Sequence, residues 1–97
     1  MYMSILSGLV SPQNASIIEA SYNRVIKNAP EGLIHSYLVQ HSKDKKLWQI
    51  VSVWKDEEYY ETCVRGKIAD ICVQMFCDAG SVPRRETFDV KTSFFKV

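Results

Sequence analysis

Four side chains with the chemistry to bind or act on a flat organic molecule lie in two β-prone segments. His35 and Tyr37 belong to the first segment, and Ser52 and Trp54 to the second. Aromatic rings provide stacking area, while a few polar tips fix the orientation of a ligand. An unperturbed imidazole has a pKa of about 6.5, so His35 is the first candidate for a general base near neutrality. Ordinary packing, with rings in a core and a hydrogen-bonded histidine, is the alternative that the residues leave open.

The two segments, residues 33–42 and 47–54, predict antiparallel strands joined by the polar loop 43–46. With a loop of that length Tyr37 lies opposite Ser52, and His35 opposite Trp54, so these side chains share one face of the sheet. A loop of odd length would change this assignment.

The rest of the chain predicts a strand over 2–10, a helix from Ser11-Pro12 to residue 28, and a second helix that begins at Asp56. Gly66 ends or bends that second helix, and a further helical piece runs to Gly80. Its apolar stripe is formed by Ile68, Ile71, Cys72, Met75 and Phe76. Residues 82–85 are expected to form a loop, and 87–94 alternate as a final strand.

This order is β-α-β-β-α-β, with the second helix broken in two, which predicts an α+β ferredoxin-like fold with a four-stranded antiparallel sheet. We expect one domain over residues 1–97. Both faces of the predicted hairpin are too apolar for either to meet water, and helices can cover only one of them. A homodimer that pairs the remaining sheet faces is therefore expected.

The composition excludes several classes of function. A net charge of +1 does not provide the attraction that nucleic-acid binding requires, and residues 46–54 lack the glycine and aromatic pattern of an RNA-recognition motif. No segment reaches the length of about 20 apolar residues that a membrane span needs. No phosphate-binding glycine loop or zinc-ligand pattern is present, so no metal or cofactor is expected.

The cysteines Cys63, Cys72 and Cys77 are odd in number and lack C-x-x-C spacing. Together with an N-terminus that has no signal-peptide pattern, they predict a reduced, cytoplasmic protein without membrane association. Cys72 is expected to be buried on the helical stripe.

Residues 29–34 (APEGLI) and 48–58 (WQIVSVWKDEE) resemble the antibiotic biosynthesis monooxygenase-like superfamily. The resemblance implies a dimeric α+β barrel, with a ligand cleft in each subunit between sheet and helices. Its members include cofactor-independent oxygenases that convert anthrone-type aromatics to quinones, and haem-degrading oxygenases.

The haem-degrading branch is disfavoured on three positions. It expects an asparagine on the first strand, a tryptophan nine residues after the strand-ending tryptophan, and a haem-ligating histidine in the following helix. Here Cys63 stands nine residues after Trp54, the first strand has no asparagine, and residues 67–79 have no histidine.

The resemblance therefore favours a small monooxygenase, without cofactor, that acts on a flat aromatic or quinol-like molecule. Such chemistry needs a dry cavity, a base and a group that stabilises the substrate anion. The expected catalytic residues are His35 and Tyr37, and the expected substrate-binding residues are Ser52, Trp54, Tyr59, Tyr60, Arg65 and Phe76. The alternative is a non-catalytic dimer that binds a small ligand or serves in assembly, and the sequence leaves open whether the protein is an enzyme.

Overall fold

The computed structural model describes residues 1–66 and 69–96, without the side chains of residues 69 and 70. Its elements are β1 (Tyr2–Leu9), α1 (Ala15–Val25), β2 (Leu33–Gln40), β3 (Leu47–Trp54), α2 (Glu57–Arg65), α3 (Ala69–Asp78) and β4 (Arg84–Asp89). Short 3-10 turns flank α1, at Pro12–Asn14 and Ile26–Asn28. The predicted element order and ferredoxin-like α+β fold are confirmed. Ile68, which begins the predicted stripe of α3, lies outside the described residues.

The four strands form one antiparallel sheet in the order β2-β3-β1-β4. Helices α1 and α3 pack on one face, in a core that joins Leu6 and Ile50 of the sheet to Ile18 and Phe76 of the helices. A second cluster joins α2 to the end of the same face through Tyr2, Trp54, Tyr60 and Cys63. Burial of these apolar side chains is the main stabilising term of the fold.

The β2–β3 pairing differs from the predicted register by one residue. Ser36 pairs with Ser52 and Leu38 with Ile50, and a bulge follows Leu33. Gln40 and Trp48 form the last pair before the loop. Residues 41–47 lie between them, and this odd number of residues gives a register that differs by one from the predicted register.

Hydrogen bonds inside the loop explain the shift. His41 Nδ1 accepts from the backbone N–H groups of Lys43 and Asp44 at 3.1 and 2.9 Å, and Asp44 Oδ1 accepts from the Lys46 N–H at 3.2 Å. The loop therefore starts at His41, two residues earlier than predicted.

Because side chains alternate along a strand, this register separates the four side chains that were expected to share a face. Tyr37 now lies opposite Val51, and His35 opposite Val53, on the side of the sheet away from the helices. We call this side the open face. Its side chains come from all four strands: Met3, Ile5, Ser7, Leu9, His35, Tyr37, Val39, Leu47, Gln49, Val51, Val53, Arg84, Glu86 and Phe88.

The last strand also differs from its prediction, since β4 covers Arg84–Asp89 rather than residues 87–94. Its length is set by its neighbour β1, with Ser7 opposite Arg84 and Tyr2 opposite Asp89. Beyond Asp89 the partner strand ends, and the Val90 N–H bonds the Met1 carbonyl at 3.0 Å. The alternation in residues 90–94 thus has no strand to pair with.

Two glycines with positive φ lie in connections between elements, where the sequence predicts turns. Gly80 follows α3 with φ +85°, and the Ser81 N–H bonds the Phe76 carbonyl at 2.9 Å in a Schellman-type cap. Gly32 precedes β2 with φ +86°, and its Cα lies against the ring of Tyr59. That close approach seats the start of α2 on the start of β2.

We expect Gly32→Ala to destabilise the protein more than Gly80→Ala. The positive φ at each site costs an alanine about 1 kcal/mol or more. A Cβ at Gly32 would also overlap the Tyr59 ring, whereas a Cβ at Gly80 would meet Asn14 Nδ2 at 3.4 Å. Such an overlap adds about 1–3 kcal/mol. The free energies of unfolding of the two variants, from urea titration, measure the difference. Equal values would show that Tyr59 is not seated on Gly32.

Candidate functional site

A cavity of about 300 Å³ lies between the helix-covered face of the sheet and the three helices. Its sheet side includes Ser4, Leu6, Ser36, Ile50, Ser52 and Trp54, with Arg85 from β4. Its helix side includes Tyr22, Arg24 and Val25 of α1, Tyr60 and Cys63 of α2, and Ile71, Cys72 and Met75 of α3. A largely apolar cavity of this size suits one small organic molecule.

The floor of the cavity is a row of hydroxyl side chains across the sheet. Ser36, Ser52 and Ser4 are successive cross-strand partners on β2, β3 and β1, and Thr87 of β4 continues the row. Serine is small, so these positions leave the space that leucine or isoleucine fills at neighbouring pairs. The cavity exists because of this local choice of side chain.

Hydrogen bonds connect the hydroxyl row to the residues around it. Tyr22 Oη donates to Ser36 Oγ at 2.9 Å, and the Ser36 and Ser52 Oγ atoms lie 3.5 Å apart. Trp54 Nε1 donates to Ser4 Oγ at 3.1 Å, which fixes the plane of the indole. These bonds hold the cavity walls in defined orientations before any ligand enters.

Aromatic rings form one wall of the cavity. The Tyr60 ring packs edge-on against Trp54, with centroids 5.7 Å apart, and lies 5.4 Å from the ring of Tyr2. Tyr60 is placed by α2, which starts where Asp56 Oδ1 accepts a bond from the Tyr59 N–H at 3.1 Å. This is the helix start that the sequence predicts. Edge-on rings provide flat apolar surface for a planar ligand.

The charged groups that line the cavity are arginines, since no Asp, Glu or His lines it within residues 1–66 and 71–96. Arg85 comes from β4, beside Tyr60, and Arg24 from α1. Burial raises the pKa of the Tyr60 phenol, because a phenolate there would lose contact with water. The positive charge of the nearby Arg85 guanidinium opposes that rise in pKa. Tyr60 is therefore a neutral hydrogen-bond donor at physiological pH.

Two thiols also line the cavity, on α2 and α3. Burial raises the pKa of the Cys72 thiol, the nearby Cys63 raises it further, and Arg85 opposes the rise. Cys72 is half-buried on α3, and Cys77 is exposed. Over the described part of the chain, no three His, Cys, Asp or Glu side chains cluster in a way that could hold a metal ion.

Three of the predicted substrate-binding residues, Ser52, Trp54 and Tyr60, line the cavity. His35 and Tyr37, expected as catalytic residues, lie together on the open face, with ring centroids 6.3 Å apart. The sheet separates both of them from the cavity, because their predicted position depended on a different register.

The other three predicted residues lie outside the cavity. Tyr59 packs on Gly32 and lines a separate surface groove, with Lys55 Nζ 5.9 Å from its ring centroid. Arg65 is exposed, and its Nη2 lies 3.4 Å from Thr62 Oγ1. Phe76 is fully buried in the core beneath Gly8.

Sequence reasoning missed Ser4, Ser36, Tyr22 and Arg85. Ser4 and Ser36 are small polar residues in strands made largely of apolar ones, which is a visible signal. Their convergence with Ser52 becomes apparent only once both strand registers are known. Arg85 was assigned to a loop, so its place on a strand facing the helices could not be inferred.

No protein-family model matches the chain, and no curated protein matches it in sequence. Solved structures do match its fold over nearly its whole length. A candidate antibiotic biosynthesis monooxygenase from Deinococcus radiodurans superposes with a TM-score of 0.82 at 8% identity, over 100% of this chain and 99% of that one. SnoaB, a cofactor-independent oxygenase from Streptomyces nogalater, superposes with a TM-score of 0.77 at 10% identity, over 98% of this chain and 97% of that one.

A conserved protein from Methanosarcina mazei has the same fold, with a TM-score of 0.71 at 15% identity and 94% of each chain covered. The ferredoxin-like α+β fold of the single chain is thus confirmed. No helix in residues 1–66 or 69–96 has the length and apolar character that crossing a bilayer requires.

We expect Cys77 to react with iodoacetamide at pH 8 about tenfold faster than Cys72. The thiolate is the reactive form, and burial lowers both its fraction and its accessibility at Cys72. Peptide mass spectrometry over a time course gives both rates. In urea the two rates should converge, which is the control. Equal rates in the folded protein would contradict the burial of Cys72.

Proposed function

We propose that this protein is a homodimeric, cofactor-independent monooxygenase that oxidises a flat aromatic or quinol-like small molecule in the cavity between sheet and helices. The observation that carries the proposal is the cavity itself. It combines an aromatic wall, Trp54 and Tyr60, with the guanidinium of Arg85 beside the Tyr60 phenol. The fold shared with a cofactor-independent oxygenase adds support. Fold alone does not assign a reaction, so the proposal depends on the residues of the cavity.

The reaction class follows from what such a cavity can stabilise. An anthrone-type CH₂ group that transfers a proton to water gives a delocalised anion, which can pass an electron to O₂. Recombination forms a C–O bond, and loss of water leaves a carbonyl, so that CH₂ and O₂ become C=O and H₂O. The protein has to favour the anion and exclude solvent from it.

Arg85 and Tyr60 have complementary roles in this proposal. Arg85 is exposed at the edge of the cavity, and its guanidinium stabilises the negative charge that develops on the substrate oxygen. Tyr60, which its raised pKa keeps protonated, donates a hydrogen bond to the same oxygen. Tyr60 ionisation should not reduce the rate below about pH 10.

The hydroxyl row positions the other end of the substrate. The Oγ atoms of Ser36 and Ser52 and the Tyr22 phenol can each turn to donate or accept a hydrogen bond. A planar molecule held between the aromatic wall and this floor would meet the Arg85 end in one orientation. Fixed orientation raises the rate of a reaction without any further chemical group.

The open face supports the homodimer. Tyr37, Val39 and Phe88 are 54%, 39% and 45% exposed there. Removing this apolar surface from water would contribute favourable free energy to association. A second copy related by a two-fold axis offers the same apolar surface. We place the protein in the cytoplasm, where a reducing environment keeps cysteine thiols intact.

The lining of the cavity also favours a second candidate, a dimer that binds a small ligand without reacting with it. Within the described residues the lining contains no carboxylate or imidazole, the usual general bases. A binding protein would take up an aromatic ligand without consuming oxygen. Oxygen consumption therefore separates the two candidates.

We expect the purified protein, after treatment with a chelator, to consume oxygen with an anthrone-type substrate faster than the spontaneous reaction. Arg85→Gln should lower kcat/KM about 100-fold, as loss of an oxyanion-stabilising donor does. Tyr60→Phe, which keeps the ring and removes the hydroxyl, should lower it about tenfold or more.

The matched control is Arg84→Gln, because Arg84 is the neighbouring arginine on the opposite side of β4, with its side chain 78% exposed. It should retain wild-type activity. His35→Ala tests the catalytic role expected from the sequence. Loss of activity in His35→Ala with Arg85→Gln unaffected would move the chemistry to the open face. Binding without oxygen consumption would favour the second candidate.

We expect Val39→Asp to convert the dimer to monomer at micromolar concentration, because the charge would be buried between two open faces. Sedimentation velocity measures the state. Val82→Asp, at a 90% exposed position before β4, is the control that should remain dimeric. A wild-type protein that is monomeric at this concentration would refute the dimer.

A further inference from the structure

Two thiols line the cavity, and the proposed reaction uses neither of them. Cys63 comes from α2 and Cys72 from α3. Cys63 is 6% exposed and belongs to the buried cluster of Trp54 and Tyr60. Cys72 is half-buried, while Cys77, near the end of the same helix, is exposed and lies outside the cavity. Cys72 is therefore the more accessible of the two thiols that a bound ligand would meet.

The Cys72 thiol has different reactivity toward dissolved reagents and toward a bound ligand. Burial raises its pKa, so its thiolate fraction is small and reagents that arrive from solution react with it slowly. A ligand in the cavity is held close to the sulfur, and the effective concentration of well-oriented groups can reach about 10⁵ M or more. A thiol that is slow with ordinary reagents is then fast with a molecule that fits the cavity.

The lining of the cavity indicates which electrophile fits. Its aromatic wall and its volume of about 300 Å³ suit a flat, largely apolar molecule. The guanidinium of Arg85, which also lines the cavity, can polarise a carbonyl oxygen and so draw electron density from a conjugated C=C bond. Its positive charge also opposes the rise in the pKa of Cys72. A flat quinone with a free ring position has both the shape and the conjugated carbonyl.

The addition of a thiol to such a quinone needs no oxidant, reductant or further reactant. The thiol gives its proton to water, and the sulfur forms a C–S bond at the free ring carbon. The π electrons of the C=C bond move to the carbonyl oxygen, and the resulting enolate takes up a proton. Transfer of the remaining ring proton to the second oxygen gives a hydroquinone joined to the protein by a thioether. Every atom of the thiol and the quinone is retained, and the sulfur supplies the electron pair that reduces the quinone.

We infer that Cys72 is a covalent modification site, at which the cavity binds a flat quinone with a free ring position and adds it to the thiol. The inference rests on the proposed function in one respect, since it requires that the cavity take flat aromatic molecules. The thioether occupies the cavity and blocks it. A fused quinone such as 9,10-anthraquinone, whose central ring has no free position, cannot add and leaves again. The protein therefore tolerates products of the fused type and is inactivated by quinones with a free ring position.

The wild-type protein tests the inference without any substitution. Under nitrogen at pH 8, 1,4-naphthoquinone should modify Cys72 about tenfold faster than Cys77, which reverses the order expected for iodoacetamide. The rate at Cys72 should saturate with quinone concentration because binding precedes addition, whereas the rate at Cys77 should rise in proportion to it. Peptide mass spectrometry follows the loss of both unmodified peptides. In urea the preference for Cys72 should disappear.

Ser52→Leu tests where the quinone binds, since Ser52 lines the cavity and leucine would fill part of it. The variant should slow the quinone reaction at Cys72 about tenfold, because a displaced ligand loses its proximity to the sulfur. Its iodoacetamide rate at Cys72 should stay at the wild-type value. Ser42→Leu, at an exposed loop position, is the matched control and should keep the wild-type quinone rate.

Three results would overturn the inference: faster modification of Cys77 by both reagents, a preference for Cys72 that persists in urea, or addition at Cys63 instead. An unchanged quinone rate in Ser52→Leu would place the reaction outside the cavity and overturn it as well. Oxygen consumption tests the proposed function separately. Quinone addition at Cys72 without oxygen consumption would support the covalent site and favour the non-catalytic dimer. Oxygen consumption without a preference for Cys72 would overturn the site and leave the proposed function intact.

Discussion

The pairing of Ser36 with Ser52 decides which side chains reach the cavity. Side chains alternate along a strand, so this one pair fixes the face on which each side chain of β2 lies. Ser36 and Leu38 face the helices, and His35 and Tyr37 face away. A shift by one residue would put the imidazole under α1 and remove the partner of Tyr22. The loop after β2 fixes the pair, because the His41 ring accepts two backbone N–H groups there.

The same row of serines lowers stability in order to create space. Leucine-sized side chains would fill the cavity and add apolar burial, and an empty apolar volume costs stability roughly in proportion to its size. Buried hydroxyls also have to find partners, which here are each other, the Tyr22 phenol and the Trp54 indole. A chain selected for stability alone would not retain this arrangement, and such a trade-off is typical of functional sites.

Local patterns were sufficient for the elements and insufficient for their pairing. The period of apolar residues, the Asp56 cap and Gly80 each act over a few residues, so helices α2 and α3 end near where the sequence places them. The register depends on hydrogen bonds inside the loop, and the end of β4 depends on the length of β1, a strand more than 70 residues away in sequence. Trp54, Ser52 and Tyr60 were predicted to bind substrate and do line the cavity. The position of Arg85 at the cavity depends on the pairing of β4 with β1, so the sequence alone did not predict it.

The cavity is better suited to a neutral ligand that becomes an anion after binding than to a ligand that is already an anion when it enters. A neutral aromatic molecule loses little hydration on entering an apolar cavity, whereas an anion would lose much more. Arg85 is already in place, and Tyr60 stays protonated because burial raises its pKa. Both therefore act weakly on the neutral ground state and strongly on an anion formed inside. That difference between the two states, rather than tight binding of either, is what lowers a reaction barrier.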